Sequence, residues 1–245
     1  MGLKEFLRKN LPNPIFDFIL HFYIKIKSFN KTKYDAELEY WMSRLERDKG
    51  VFKNNHYRKL MLAMAERKDE EFLSNKIIAD FGCGPRGSLS WANNASIRIG
   101  IDVLADKYAD NFKSNIINHN MIYVKSTESV ISLPSNYCDI VFSLNAIDHV
   151  TNFPVMCNEI CRILKKGGEF VASFNIEEPK TICEPQRLTE RTIKENFLDK
   201  LQLVSYRISE KGPSGNQYAP FFDGNLRYKQ GDEGFLWMRA IKQTK

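Results

Sequence analysis

Short apolar runs alternate with longer amphipathic segments through most of the chain. Five runs rich in Val, Ile, Phe and Tyr predict buried strands, at 77–81, 97–102, 121–125, 139–144 and 170–174. Three helix-length segments lie between them, at 87–94, 105–114 and 153–165. Because strands and helices that alternate at this spacing need crossover connections, the pattern predicts a parallel sheet that is buried on both faces.

The two ends of the chain have different patterns. Strands are predicted at 201–208 and 235–241, joined by a polar loop that contains glycine and proline. Ahead of the first strand, apolar residues at helical spacing predict helices at 13–29, 35–48 and 56–68. The predicted fold class is therefore α/β: a doubly wound, mostly parallel seven-stranded sheet with a terminal antiparallel hairpin and an N-terminal helical extension.

Positive charge is concentrated at the N-terminal end. The net charge is +6 over 245 residues, and residues 1–33 hold seven basic but only two acidic groups, together with many aromatic residues. Three parts are predicted: a basic aromatic arm at 1–33, a helical extension on the acceptor side at 34–72, and the α/β domain at 73–245. The arm has two open interpretations, an interfacial membrane anchor or a helix that packs on the core or on a second subunit. The nearly neutral remainder argues against a nucleic-acid partner.

Apolar runs and cysteines indicate the cellular setting. No run approaches the roughly 20 apolar residues that a membrane span requires. The five scattered cysteines fit buried free thiols in a reducing compartment. Cys157 and Cys161 are four residues apart, but no second Cys/His pair completes a zinc site with them. We therefore expect a cytoplasmic protein, with a peripheral position at the inner face of the membrane open through the arm, and no bound metal.

A glycine-rich loop follows the first predicted strand. Residues 82–87 read Gly-Cys-Gly-Pro-Arg-Gly, and the next strand ends in Asp102, whose carboxylate suits the hydroxyls of a ribose. Asp80 lies two residues before the loop and would repel a pyrophosphate but attract an ammonium group. Pro85 removes a backbone N–H that a phosphate-binding loop would use. A cofactor with a ribose, a cation and no phosphate fits, and S-adenosylmethionine has these features.

Further motifs follow in a fixed order. They are Asp80-Phe81-Gly82-Cys83-Gly84-Pro85, Gly100-Ile101-Asp102, Ser126-Thr127-Glu128 with Leu133-Pro134, the stretch from Cys138 to Val150, and the stretch from Glu159 to Gly168. With these motifs, residues of roughly 75–210 resemble the class I S-adenosylmethionine-dependent methyltransferases, in particular the bacterial type-11 group. The resemblance implies a Rossmann-like fold, S-adenosylmethionine as cofactor and S-adenosylhomocysteine as product. It implies ten cofactor-binding residues: Asp80, Gly82, Cys83, Gly84, Asp102, Val103, Ser126, Thr127, Glu128 and Asn145.

Candidate acceptor residues follow the fourth and fifth strands and occupy the helical extension. His149 is the candidate general base for a hydroxyl acceptor, with Asp148 beside it to orient or replace it. The alternative for His149 is a wall residue that bonds to backbone and shapes the pocket. The candidate substrate-binding residues are His56, Tyr57, Arg58, Asn175 and Glu178.

The acceptor class rests on a looser resemblance. The run from Glu39 to Tyr57, with the residues that follow Gly84, is similar to methyltransferases that modify bacterial surface polysaccharides and sugars. This implies in-line O-methylation of a sugar or glycan hydroxyl. Two alternatives stay open: a small-molecule or lipid methyltransferase with a quinone- or phenol-like acceptor, and a catalytically silent methyltransferase-like interaction subunit.

Overall fold

One mixed sheet forms the centre of the molecule. The computed structural model describes residues 32–213 and 217–243. Its strands are β1 (Ile77–Phe81), β2 (Ile97–Asp102), β3 (Ile122–Lys125), β4 (Cys138–Leu144), β5 (Leu164–Ile176), β6 (Leu201–Glu210) and β7 (Gly234–Lys242). Their order is β3-β2-β1-β4-β5-β7-β6, with parallel pairing from β3 to β5 and with β7 antiparallel to both β5 and β6. The predicted seven-stranded sheet with a terminal antiparallel hairpin is confirmed.

Helices cover both faces and one edge of this sheet. They are α1 (Lys33–Arg47), α2 (His56–Met64), α3 (Ala105–Asn111), α4 (Lys113–Ile116), α5 (Phe153–Ile163), α6 (Glu190–Phe197) and α7 (Ala219–Phe222), with short 3-10 turns at Glu71–Leu73, Ile117–His119 and Ile147–His149. Within the described part of the chain, no helix is long and apolar enough to cross a membrane. Almost all of the predicted basic arm, residues 1–31, lies outside the described residues.

Alternating side chains of the strands build two core layers. Ala79 and Val141 pack on one face of the sheet, with α5 and α6. Ile78 and Ile140 pack on the other face, with α2. Both faces are covered because the parallel strands connect through helices, as the continuous apolar runs predict.

Helix α1 packs at the edge where the parallel strands end. Its apolar residues, Leu38 and Trp41 among them, join a third cluster with Phe52, Leu104 and Phe112. The helix begins with a capping box between Thr32 and Asp35, which fixes its first turn. Since Leu104 lies two residues after β2 and Phe112 lies at the end of α3, this cluster holds α1 above the carboxyl ends of the strands.

Three local predictions were wrong, and one helix was not predicted. Residues 87–94 form turns instead of a helix. The Ser88 hydroxyl donates a hydrogen bond to the Asp80 carboxylate, and the Arg98 guanidinium donates one to the Ser90 carbonyl, so these groups are not available to a helix. The helix predicted at 153–165 ends at 163, where β5 begins. The loop before β7 contains α7, whose Phe221 ring stacks on Trp237 at 4.1 Å. Helix α6 was not predicted, because it is short and has only two buried residues; a Thr189–Thr192 capping box fixes its first turn.

Candidate active site

A cavity of about 530 Å³ lies at the carboxyl ends of the parallel strands. This is the edge at which open α/β sheets bind their ligands. The glycine loop after β1 and the ends of β2 and β4 form its floor, and α1 forms its roof. All ten residues that the sequence assigns to the cofactor line it: Asp80, Gly82, Cys83, Gly84, Asp102, Val103, Ser126, Thr127, Glu128 and Asn145.

The glycine loop approaches its neighbours more closely than any larger residue permits. Gly82 and Gly84 have φ angles of +71° and +59°. A Cβ atom at Gly82 would lie 2.2 Å from the Ala146 Cβ, and one at Gly84 would lie 2.6 Å from the Trp41 Cζ2. The loop therefore needs glycine for both its backbone conformation and its contacts with β4 and α1.

Asp102 is fixed at the end of β2. Its Oδ2 accepts a hydrogen bond from the Gly84 N–H at 3.0 Å, and its Oδ1 accepts from the Leu104 N–H at 2.9 Å and the Tyr108 hydroxyl at 3.2 Å. Burial raises the pKa of Asp102 to about 6, although these hydrogen bonds oppose the shift. The carboxylate thus faces the cavity in a position set by both the glycine loop and α3.

Asp80 is the most deeply buried acid of the cavity. It is 2% exposed, its Oδ2 accepts from the Ser88 hydroxyl at 2.5 Å, and its Oδ1 has no hydrogen-bond partner among the described residues. Burial raises the pKa of Asp80 to about 7, and the nearby Asp102 carboxylate acts in the same direction. A cation in the cavity would stabilise the charged form of Asp80.

Glu128 connects α1 to the backbone at Thr151. Its Oε1 accepts hydrogen bonds from the Lys33 ammonium at 2.9 Å and the Tyr34 hydroxyl at 2.6 Å, and its Oε2 accepts from the Thr151 N–H at 2.7 Å. Burial alone would raise the pKa of Glu128, but the Thr151 amide, Tyr34 and Lys33 together lower it to about 2. Both carboxylate oxygens of this predicted cofactor residue are therefore engaged in holding α1 in place.

The far end of the cavity is built around His149, in the 3-10 turn after β4. Its Nδ1 lies 3.0 Å from the Glu37 Oε1 of α1, and its Nε2 lies 3.6 Å from the Glu184 Oε1 and 4.0 Å from the Asp148 Oδ1. Burial lowers the pKa of His149, but the three carboxylates outweigh it, so that the pKa is raised overall. Burial raises the pKa of Asp148, which is 4% exposed. A positive group at this point is strongly favoured by its surroundings.

The predicted substrate residues divide into two groups. Tyr57 and Asn175 line the cavity, whereas His56, Arg58 and Glu178 do not. Successive helical residues point about 100° apart, so α2 presents only Tyr57 of its first three residues to the cavity. His56 packs beside the Tyr57 ring, Arg58 lies at a separate surface depression, and Glu178 forms an ion pair with Lys211. Only Tyr57 and Asn175 of the five therefore lie at the cavity, and an acceptor role for the other three stays a prediction.

Several cavity residues were missed from the sequence. Lys33, Glu37 and Trp41 line the cavity from α1, and Cys183 lines it beside Glu184 in the loop after β5. The α1 residues recur every fourth position, which places them on one face of a helix. That spacing was visible in the sequence, but it does not reveal which part of the molecule the face covers.

The comparisons with known proteins agree with this geometry. Residues 79–172 match the family model described as a methyltransferase domain. This part of the chain is similar to methyltransferase domains. The match agrees with S-adenosylmethionine as the cofactor that the glycine loop, Asp80 and Asp102 predict.

Similar proteins come from several organisms. An uncharacterized protein of Haemophilus influenzae is 27% identical over 158 residues, which cover 61% of this chain and 59% of that protein. A Mesorhizobium loti S-adenosylmethionine-dependent methyltransferase has a TM-score of 0.54 at 18% identity, over 74% of this chain and 96% of its own. Another similar structure is a chain of the Haloferax volcanii complex between the Trm112 methyltransferase activator and a methyltransferase. It has a TM-score of 0.60 at 17% identity, and the match covers 84% of this chain and 98% of that chain. The two solved structures show the shared fold.

Proposed function

We propose that the protein transfers the methyl group of S-adenosylmethionine to a hydroxyl group of a sugar or glycan. The observation that carries the proposal is the single cavity, which joins the candidate cofactor residues to a polar end around His149. Methyl transfer is an in-line displacement, so the acceptor oxygen must lie opposite the sulfonium sulfur, in the same cavity. One continuous cavity meets that requirement.

The cofactor end supports one orientation of S-adenosylmethionine. Asp102 stands at the end of β2 to accept from the ribose hydroxyls, and Asp80 stands beneath the glycine loop to attract the amino-acid ammonium. Ser126 and Thr127 line the wall after β3, on the side predicted for the adenine. In this orientation the methyl group of a bound cofactor would face the end of the cavity that His149 and Asn175 line.

The other end of the cavity favours a polyhydroxylated acceptor over a quinone or a phenol. Its lining includes the carboxylates of Glu37 and Glu184 and the side-chain amides of Asn175 and Gln217, which suit the hydroxyls of a sugar. The Tyr40 ring also lines the cavity and is 54% exposed, so it offers an aromatic face to a sugar ring. An apolar acceptor would leave these polar groups unpaired on binding.

The acceptor hydroxyl must lose its proton when the new bond forms. The C–S bond of the cofactor breaks with its electron pair on sulfur, the acceptor oxygen forms the new C–O bond, and the O–H proton leaves. His149 and Glu184 line this end of the cavity with Glu37, and Asp148 lies behind His149; we assign the activation of the hydroxyl to His149, Asp148 and Glu184. In the simplest form His149 accepts the proton, with its ring oriented by Glu37.

A binding role without catalysis is the second candidate. The Haloferax volcanii relative was solved in a complex with an activator protein, so this fold also takes part in protein–protein assembly. The arm at 1–33 is the corresponding candidate here, as a membrane or subunit contact. A purely binding role would leave the open cavity and its buried acids Asp80 and Asp102 without a function.

The test is methyl transfer from labelled S-adenosylmethionine to panels of nucleotide sugars, glycans and phenolic compounds. We expect label on a hydroxyl of a sugar or glycan. Label on a phenolic compound would replace the sugar proposal with the small-molecule alternative. No transfer to any panel, with S-adenosylhomocysteine bound normally, would favour the binding role.

A further inference from the structure

Three metal-ligating side chains converge at the acceptor end of the cavity. One donor atom from each of Asp148, His149 and Glu184 lies within 4.8 Å of the others. The His149 Nε2 is 3.6 Å from the Glu184 Oε1 and 4.0 Å from the Asp148 Oδ1. Ligand atoms that share one small cation at roughly 2.0–2.2 Å are themselves roughly 3–4 Å apart. The spacing in the structure is close to that of a cation site.

A buried oxygen without a partner points into this cluster. Asp148 is 4% exposed, and its Oδ1, the atom nearest His149, makes no hydrogen bond within the described residues. The Asn175 Oδ1, on the adjoining wall, is also buried without a hydrogen bond among those residues. The Asn175 side chain also forms a hydrogen bond with the Asp148 carboxylate. Buried polar atoms are normally paired, so the unpaired Asp148 Oδ1 beside His149 leaves a position for a positive partner.

The His149 ring is held in the orientation that metal binding requires. Its Nδ1 donates to the Glu37 carboxylate at 3.0 Å, which leaves the lone pair of Nε2 toward Asp148 and Glu184. Histidine ligands commonly donate their second ring nitrogen to a carboxylate in this way, which fixes the tautomer. Glu37 comes from α1, outside the matched domain of residues 79–172.

The charges nearby leave room for a cation. Three carboxylates, those of Glu37, Asp148 and Glu184, face the imidazole. The Lys33 ammonium is close, but it binds the Glu128 carboxylate and the His149 carbonyl instead of the cluster. The cluster therefore has more negative than positive charge around one point.

We propose that Asp148, His149 and Glu184 bind a divalent cation of the Mn²⁺ or Zn²⁺ kind. One imidazole with two carboxylates suits these ions. Binding itself does not depend on the proposed function. A catalytic role for the cation does rest on the proposed function. An acceptor hydroxyl that coordinates the cation loses its proton to water more readily, and His149 then acts as a ligand instead of a base.

Metal binding is tested on the full chain after chelator treatment, without cofactor or acceptor. Mn²⁺ is titrated into the protein while electron paramagnetic resonance follows the free ion, and we expect one tightly bound Mn²⁺ per chain. Glu184→Gln removes a ligand and Glu37→Gln removes the carboxylate behind His149, so each should weaken binding by at least about tenfold. Neither side chain belongs to the buried core, and melting curves verify that both variants fold.

The matched control is Glu177→Gln. Glu177 is the first residue after β5, but its carboxylate pairs with Arg187 at 3.0 Å and lies outside the cluster. This variant should bind Mn²⁺ like the wild type. Absence of binding, or binding that is equal in all four proteins, would overturn the site.

Chelation separates this proposal from the proposed function. Methyl transfer that survives complete chelation, in a protein that binds no Mn²⁺, overturns the cation site and leaves the methyltransferase proposal intact. Bound Mn²⁺ that depends on Glu184, in a protein that methylates none of the acceptors, supports the site and contradicts the proposed function.

Discussion

Asp80 connects cofactor binding to pH at the scale of a single residue. Burial raises its pKa to about 7 when the cavity holds no cation. The ammonium group of the cofactor favours the carboxylate, so binding lowers that pKa and releases a proton. The affinity for the cofactor is therefore highest well above pH 7, where Asp80 is ionised, and it falls as the pH drops below 7.

We predict that S-adenosylhomocysteine binds about tenfold more weakly at pH 6 than at pH 8, because about one Asp80 in ten is ionised at the lower pH. Calorimetry across this range measures the change. Asp80→Asn, which cannot ionise, should bind weakly and with a much flatter dependence on pH. A wild-type affinity that does not change between pH 6 and pH 8 would exclude Asp80 as the ammonium partner.

Helix α1 is the element that turns an open sheet edge into a closed cavity. Lys33, Glu37 and Trp41 project from one face of it at every fourth residue, and each lines the cavity. Lys33 binds Glu128, Glu37 binds His149, and Trp41 covers Gly84. The methyltransferase domain thus depends on a helix that precedes it in the chain for its roof.

We predict that Trp41 reports cofactor binding. The chain has three tryptophans, and Trp41 alone among them lines the cavity. S-adenosylhomocysteine should therefore change the tryptophan fluorescence of the wild type and of Trp91→Phe, which serves as the control. In Trp41→Phe the change should be lost, although calorimetry still detects binding. An unaltered change in Trp41→Phe would show that α1 does not cover the bound cofactor.

Strands and helices could be predicted where one hydrophobic periodicity dominated the segment. The strands at 77–81 and 97–102 were located because both faces of a parallel sheet are apolar. The segment 87–94 was mistaken for a helix because its outcome depends on the Ser88 hydrogen bond to Asp80, a contact that no periodicity encodes. Helix α6 was missed because only Ile193 and Phe197 mark its buried face.

The whole molecule brings together groups that are far apart in sequence. The predicted cofactor residues could be expected at one cavity because each lies at or just after the end of a strand, in an ordered motif. Glu37, His149 and Glu184 could not be predicted as a cluster, because they come from α1, the turn after β4 and the loop after β5. Only the packing of α1 against the sheet edge makes them neighbours. The chemistry at the acceptor end is therefore a property of the assembled chain.

The most direct test of the account measures methyl transfer and S-adenosylhomocysteine affinity for the wild type and His149→Ala, with the acceptor found by labelling. We predict that turnover falls by at least about a hundredfold, because the group that activates the hydroxyl is removed, while cofactor affinity is nearly unchanged. A variant that keeps most of its turnover would contradict the proposed acceptor end. Equal loss of cofactor binding would instead make His149 part of the cofactor wall.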